Sequence, residues 1–222
     1  MNTESITKIL DGKTINFIGD SLFAAHALTK DASWCNKLAK AHGMTFQNYG
    51  ISGCTVSACA GGSYPIVERY VDMEDNDPDI VVIEGGRNDF NKHAVIKGDD
   101  SDITTYRGAL ITLVRGLREK YPRALLIGVS FWRSGTRIND LGHLCSEYTE
   151  TMIETLRELN VEVIDTTDTS VCPVNMLDPE FRKQYCVVPG DVCHLNDEGM
   201  TLAVPYFEAE IAKICTRVWG NN

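Results

Sequence analysis

Apolar strands that alternate with helical patterns constrain the fold of this sequence most. Segments of strand length lie at 14–19, 44–48, 79–85, 124–130 and 161–165. Those near positions 15, 80 and 125 are continuous β-branched and aliphatic runs, which is typical of parallel strands covered by helices on both faces. Helical patterns lie between and after them, at about 22–42, 65–73, 104–121, 138–160 and 197–218. The alternation predicts an α/β fold, a three-layer α/β/α arrangement around a mostly parallel, doubly wound, five-stranded sheet.

The composition is that expected of one globular domain spanning 1–222. The chain has 222 residues, 43% of them hydrophobic, and neither repeats nor long linkers divide it. Its net charge of −10 argues against binding to nucleic acid or to an anionic membrane. The first residues lack a basic start followed by an apolar stretch, so a cytoplasmic location is expected.

The eight cysteines are expected to be free thiols, and those within helical patterns to be small core side chains. None forms a Cys-x-x-Cys pair. A zinc site built from Cys186, Cys193 and His194 is therefore the weaker alternative. The expectation is a protein that needs no metal and no cofactor.

Polar segments follow each of the first three strands. They read GDS at 19–21, YGISGC at 49–54 and GGRNDF at 85–90. The carboxyl ends of parallel strands lie at one edge of a sheet, and ligands bind outside that edge. The three segments are therefore predicted to meet in one site.

Ser21 and the late pair Asp191 and His194 supply residue types that a serine hydrolase needs. These are a hydroxyl nucleophile, an imidazole base and a carboxylate that orients the base. In a turn, Asp191 could accept the Nδ1 proton of His194, which leaves Nε2 free to face Ser21. The structural alternative is that Asp20 or Ser21 caps a helix and that His194 merely precedes one.

The other two loops contain candidate donors for an oxyanion. Asn88 offers a side-chain amide, although an ordinary Asx turn is the alternative use of this residue. Gly50 and Gly53 offer backbone N–H groups that a ligand can approach closely. Arg87, beside Asn88, could contact a polar or anionic substrate or be an exposed structural residue.

With these residues in this order, the sequence resembles the SGNH hydrolase superfamily of GDSL-type esterases, from residue 14 to about 205. The matching motifs are Gly19-Asp20-Ser21, Asn48 with Gly53 five residues later, Gly86-Arg87-Asn88-Asp89, and Asp191 with His194. The resemblance implies a flavodoxin-like α/β/α fold and an ester hydrolase activity.

The resemblance also implies a role for each matching residue. Ser21 would be the nucleophile, His194 the general base and then acid, and Asp191 the carboxylate that orients His194. The oxyanion hole would be formed by the backbone N–H groups of Ser21 and Gly53 and the side-chain amide of Asn88. Gly50 remains a rival for Gly53, and no residue is assigned to substrate binding.

The function predicted on this basis is a serine esterase that acts through an acyl-enzyme on short acyl esters, above all acetyl esters, with carbohydrate esters as candidate substrates. The loops beside the predicted site are polar, and no long apolar insertion offers a lid or lipid tunnel. A lysophospholipase or acyl thioesterase of the same superfamily is the alternative. A flavodoxin-like module that binds a small ligand is the non-enzyme alternative. The Gly-x-Ser-x-Gly pentapeptide of α/β-hydrolases is absent from the sequence.

Overall fold

The computed structural model describes residues 7–133 and 135–220. Its five strands form one parallel sheet in the order β2-β1-β3-β4-β5. They are β1 (Thr14–Ile18), β2 (Thr45–Asn48), β3 (Ile80–Glu84), β4 (Leu125–Val129) and β5 (Glu162–Ile164). Every predicted strand is confirmed to within one residue at each end, and so is the five-stranded parallel sheet. The sheet order reverses direction between β1 and β3, which is where doubly wound folds place their ligands.

Helices cover the sheet and complete the three-layer α/β/α architecture. The described α-helices are α1 (Ser21–Ala24), α2 (Trp34–Ala41), α3 (Ile66–Arg69), α4 (Arg87–Asn91), α5 (Tyr106–Lys120), α6 (Cys145–Glu158), α7 (Pro179–Tyr185) and α8 (Asp197–Trp219). Short 3₁₀ turns occur at Lys8–Leu10, Lys30–Ala32 and Tyr70–Asp72. Helix α2 packs on α8, and α5 packs on α6. None of the described helices has both the length and the apolar composition of a membrane span.

The helix predicted over 22–42 is wrong, because the chain forms α1 and α2 with a turn between them. Helix α1 ends after one turn, where Ala25 adopts the left-handed conformation with φ 53°. Ala27 is left-handed as well, with φ 65°. A new helix then begins after Ser33, whose side chain accepts the backbone N–H of Cys35. Helical propensity favoured one long helix here, and tertiary packing overrides it.

The helices also differ from the prediction in two other places. The helix predicted over 138–160 begins only at Cys145, because Ile138 and Leu144 pair across an isolated bridge instead. The short helix α4 in the third polar loop was not predicted, and it places Asn88 in its first turn.

An aromatic cluster supports the short helix that begins with Ser21. Trp34 stacks on Phe207 of α8 at 3.8 Å between ring centroids, and it meets Phe17 of β1 and Phe23 of α1 edge to face. All four rings are fully buried. The cluster joins α1, α2, α8 and β1 through close-packed rings, and this packing holds the carboxyl end of β1 in place.

Candidate active site

The first polar loop presents Ser21 at the carboxyl edge of the sheet. Strand β1 ends at Ile18, and α1 begins three positions later, at Ser21. The Asp20 side chain caps the helix by accepting the backbone N–H of Leu22 at 3.0 Å. The capping interpretation of Asp20 is thus confirmed, and the same carboxylate oxygen also accepts a long hydrogen bond from the Ser21 hydroxyl, at 3.4 Å.

The loop that carries His194 is folded by Asp191 and by a short antiparallel contact. Cys186 and Leu195 form an isolated bridge, and the N–H of Val187 donates to the carbonyl oxygen of His194 at 3.1 Å. Within the loop, one carboxylate oxygen of Asp191 accepts the backbone N–H groups of Cys193 and His194 at 2.7 and 2.9 Å. Asp191 therefore fixes the backbone from which the imidazole projects.

The structure brings Ser21, His194 and Asp191 into one hydrogen-bonded chain. His194 Nε2 lies 3.0 Å from Ser21 Oγ, and His194 Nδ1 lies 2.9 Å from Asp191 Oδ2. Burial alone would raise the pKa of Asp191, but the hydrogen bonds from His194 and Cys193 outweigh it and hold the pKa below the ordinary value. Asp191 is thus held as a carboxylate beside an imidazole that faces a hydroxyl.

Two backbone N–H groups beside Ser21 are available to a ligand. Within the described part of the chain, no acceptor bonds the N–H of Ser21 or that of Gly53. Ser21 is the first residue of α1, so its N–H has no partner inside the helix. The N–H of Gly50 already donates to Asn48 Oδ1 at 2.9 Å. This geometry favours Gly53 over Gly50 as the candidate donor.

Asn88 reaches the same place but is engaged. Its amide nitrogen donates to Asp20 Oδ2 at 3.0 Å and to the carbonyl oxygen of Cys54 at 2.9 Å. The Asx turn considered as its alternative does not form, since the side chain bridges the first and second polar loops. Asn88 lies at the predicted site and would have to exchange one of these bonds to reach an oxyanion.

Three buried carboxyl groups lie beneath the site, and the sequence interpretation gave a role to only one of them, Asp20, as a helix cap. Burial raises the pKa of Asp20, and burial together with the nearby Asp20 raises that of Glu84 well above its ordinary value. The backbone N–H of Asp20 donates to Glu84 Oε2 at 3.1 Å. Burial also raises the pKa of Asp89 to about 6, against hydrogen bonds from Ser57 and Val56. The sequence did contain a signal for Glu84, because this acidic residue ends an otherwise apolar strand.

His26 is a further residue at the site that the sequence interpretation missed. Its exposed ring lies against that of His194, with 4.3 Å between the ring centroids and 37° between their planes. No sequence signal identifies it, because its position depends on the left-handed turn that ends α1.

Arg87 and the alternative zinc ligands have other partners. Arg87 is only 6% exposed and donates to the sulfur of Cys145 at 3.1 Å, so it is not an exposed residue. His194 uses both ring nitrogens on Asp191 and Ser21. Across 7–133 and 135–220, no group of three or more His, Cys, Asp or Glu side chains is arranged to hold a metal ion.

A cavity of about 530 Å³ lies at the carboxyl ends of β4 and β5. Trp132 forms part of its wall and donates its Nε1–H to the carbonyl oxygen of Cys193, the residue before His194. Charged side chains share its wall with apolar ones, namely Arg133, Glu150, Glu154, Arg157 and Asp165. The cavity is therefore linked through Trp132 to the loop that carries the imidazole, whereas Ser21, Asp191 and His194 do not line it.

Comparisons with known proteins agree with this fold and with the motifs. The model of the GDSL-like lipase/acylhydrolase family matches residues 17–202. The protein in one crystal structure is 26% identical to this chain. The match covers 94% of this chain and 98% of that protein, with a TM-score of 0.79. A protein from Lactobacillus plantarum is 22% identical over 93% of this chain and 98% of its own, with a TM-score of 0.78.

The psychrotrophic esterase EstA from a Pseudoalteromonas species is 20% identical, over 95% of this chain and 100% of its own, with a TM-score of 0.64. That structure is of the esterase inhibited by monoethylphosphonate. The comparison with curated proteins gave no match.

Proposed function

Because the chain belongs to the GDSL-like lipase/acylhydrolase family, we propose that this ester hydrolase is a serine esterase that removes short acyl groups, acetyl above all. The observation that carries the proposal is the continuous chain of hydrogen bonds from Ser21 Oγ through the His194 ring to Asp191 Oδ2, at 3.0 and 2.9 Å. Nucleophile, base and orienting carboxylate stand in the order that acyl transfer requires.

In the first half of the reaction, Ser21 becomes acylated. Its Oγ attacks the ester carbonyl carbon while His194 Nε2 takes the hydroxyl proton, and Asp191 stabilises the imidazolium that forms. His194 then gives that proton to the leaving alcohol oxygen as the ester bond breaks. The second half repeats these steps with water in place of the alcohol and returns the proton to Ser21.

The negative charge on the substrate oxygen requires donors that are in place before the reaction. The N–H groups of Ser21 and Gly53, which have no acceptor within the described residues, are the proposed donors. Asn88 joins them by exchanging its bond to Asp20 or to Cys54 for one to the oxyanion. The exchange has a low cost, since the developing charge is a stronger acceptor than a neutral carbonyl oxygen.

A polar alcohol, such as a carbohydrate, is the proposed leaving group. The cavity that Trp132 links to the His194 loop has five charged side chains in its wall, which can form hydrogen bonds with hydroxyl groups. A long acyl chain would need a continuous apolar groove to gain about 0.8 kcal/mol for each buried methylene. Charged groups in the wall interrupt such a groove, and this disfavours a lysophospholipase or long-chain thioesterase.

The test is a series of p-nitrophenyl esters from acetate to octanoate, assayed beside acetylated xylo-oligosaccharides and acyl-CoA. We expect kcat/KM to be highest for acetate or propionate and to fall steeply with chain length, and EDTA to leave the activity unchanged. A maximum at octanoate or at acyl-CoA would overturn the substrate proposal in favour of the lipid or thioester class. Binding without any turnover would favour the small-ligand module.

A further inference from the structure

The exposed imidazole of His26 covers one face of the His194 ring. The ring centroids are 4.3 Å apart and the planes are inclined by 37°. A solvent-exposed aromatic ring placed at this distance from another gains contact area but gives up its own hydration. The pair lies at the mouth of the proposed site, since the His194 side chain keeps 22% of its surface exposed.

The backbone is strained on both sides of His26, in the turn that places its ring against His194. Ala25 and Ala27 have φ values of 53° and 65°, in the left-handed region that residues with a Cβ avoid. The turn is tied to the nucleophile, because the N–H of His26 donates to the carbonyl oxygen of Ser21 at 3.1 Å. Strain of this kind concentrates at functional sites, where the surrounding structure holds it in place.

The contacts of the His194 ring indicate the reaction step at which a contact on the ring face matters. Asp191 and Ser21 hold the ring in its own plane, through Nδ1 and Nε2. Both bonds weaken as the ring rotates about its Cβ–Cγ bond, so together they resist that rotation. Once Ser21 carries an acyl group, its Oγ has no proton and takes part in the ester, so the bond to Nε2 is lost. The ring then keeps one in-plane bond, to Asp191, and its face contact with His26.

We propose that His26 is a positioning residue that keeps the His194 ring in place for deacylation, an inference that rests on the proposed esterase function. In that step the water oxygen forms a bond to the acyl carbon while Nε2 takes a proton from the water. The bond between the acyl carbon and Ser21 Oγ then breaks, and the proton on Nε2 passes to Oγ. His26 contacts neither water nor acyl group, and it acts through the ring it covers.

The experiment separates the two steps in His26→Ala and His26→Phe with p-nitrophenyl acetate. Turnover at saturation and the acylated fraction of enzyme, counted by mass spectrometry after quenching, together give both rate constants. We expect the rate constant of deacylation to fall about tenfold in His26→Ala. This is a fraction of the roughly 10²–10⁴-fold rate increase that a general base contributes. We expect acylation to change less than about threefold, and KM to fall along with kcat.

Rescue by a flat ring distinguishes positioning from any other loss. His26→Phe restores the face contact and is expected to deacylate at the rate of the parent enzyme. His143→Ala is the matched control, since it removes an imidazole whose contacts are Glu147 and Tyr148. Unchanged deacylation in His26→Ala, equal losses in the Ala and Phe variants, or equal losses in both steps would each overturn the inference.

A readout without turnover separates this inference from the proposed function. The ¹⁵N-correlated signals of the His194 ring report its mobility whether or not the protein hydrolyses esters. In a Ser21→Ala background, which lacks the bond to Nε2 as the acyl-enzyme does, we expect these signals to broaden in His26→Ala and to stay sharp in His26→Phe. Sharp signals in both variants would overturn the role of His26 even if the parent protein is an esterase. Absence of ester hydrolysis by the parent protein would instead refute the proposed function.

Discussion

Asp191 has two structural roles through its two carboxylate oxygens. Oδ1 accepts backbone N–H groups and folds the loop, while Oδ2 accepts from the ring of His194. Ser21 and His194 are 173 positions apart in the sequence, so their contact depends on both loops keeping their shape. At the scale of single residues, Asp191 therefore holds both a backbone segment and the imidazole of the proposed base.

Asn88 tests whether the oxyanion hole needs a side-chain amide. If one of its two hydrogen bonds is exchanged for the oxyanion, Asn88→Ala should lower kcat by about 10²–10³ and leave KM nearly unchanged. The donor would act on a charge that exists only in the transition state. Asn91→Ala, an exposed position in the same helix, should keep parent kinetics. An effect confined to KM would assign Asn88 to substrate binding instead.

The second loop illustrates the scale of elements, because its two glycines have different surroundings. A Cβ on Gly50 would lie 2.5 Å from the backbone nitrogen of Ala24 and 2.8 Å from the carbonyl carbon of Phe23. No atom lies within 4 Å of a Cβ built on Gly53, although its φ is +82°. The loop therefore packs against the end of α1 at Gly50 and is open at Gly53.

These surroundings predict that alanine destabilises the protein for a different reason at each of the two glycines. Gly50→Ala should lower the free energy of unfolding by about 1–3 kcal/mol and lower kcat, because α1 must move and carries Ser21 with it. Gly53→Ala should cost about 1 kcal/mol through left-handed strain alone and keep its N–H donor. Chemical denaturation and turnover measure both. A larger loss of stability in Gly53→Ala would contradict this packing.

The sequence predicted the strands, and the meeting of Ser21, His194 and Asp191, better than it predicted the helices. Short β-branched runs between turn residues, such as that of β3, favour a buried strand over a helix, and the polar residues after them mark the edge of the sheet. The break after α1 was not predictable, because it results from packing and from left-handed alanines that local propensity disfavours. His26 was missed for the same reason, since its position depends on that break.

Burial of carboxyl groups shapes the stability of the whole molecule. Asp89 is fully buried and accepts hydrogen bonds from the backbone N–H of Val56 and from the N–H and hydroxyl of Ser57. Burial still raises its pKa to about 6. Surface carboxylates such as Asp99 and Asp168, whose pKa values are lowered by hydrogen bonds from serines, act in the opposite direction.

The raised pKa of Asp89 predicts how stability depends on pH. Between about pH 4 and 6 the folded protein binds a proton that the unfolded chain releases, so the contribution of Asp89 falls as pH rises and is constant above the folded pKa. The stability advantage of the parent protein over Asp89→Asn should therefore shrink through that window, by on the order of 3 kcal/mol. Urea unfolding at each pH measures it. An advantage that grows with pH would contradict a raised pKa.

The central claim, that Ser21 is the nucleophile, is tested most directly by labelling with an organophosphonate and locating the adduct by peptide mass spectrometry. We predict one adduct, on Ser21, whose occupancy follows the loss of esterase activity in proportion. Ser21→Ala should take no label and show no turnover while it remains folded, whereas Ser52→Ala, an exposed hydroxyl in the second loop, should behave as the parent. An inactivated protein with unmodified Ser21, or parent turnover in Ser21→Ala, would contradict the account.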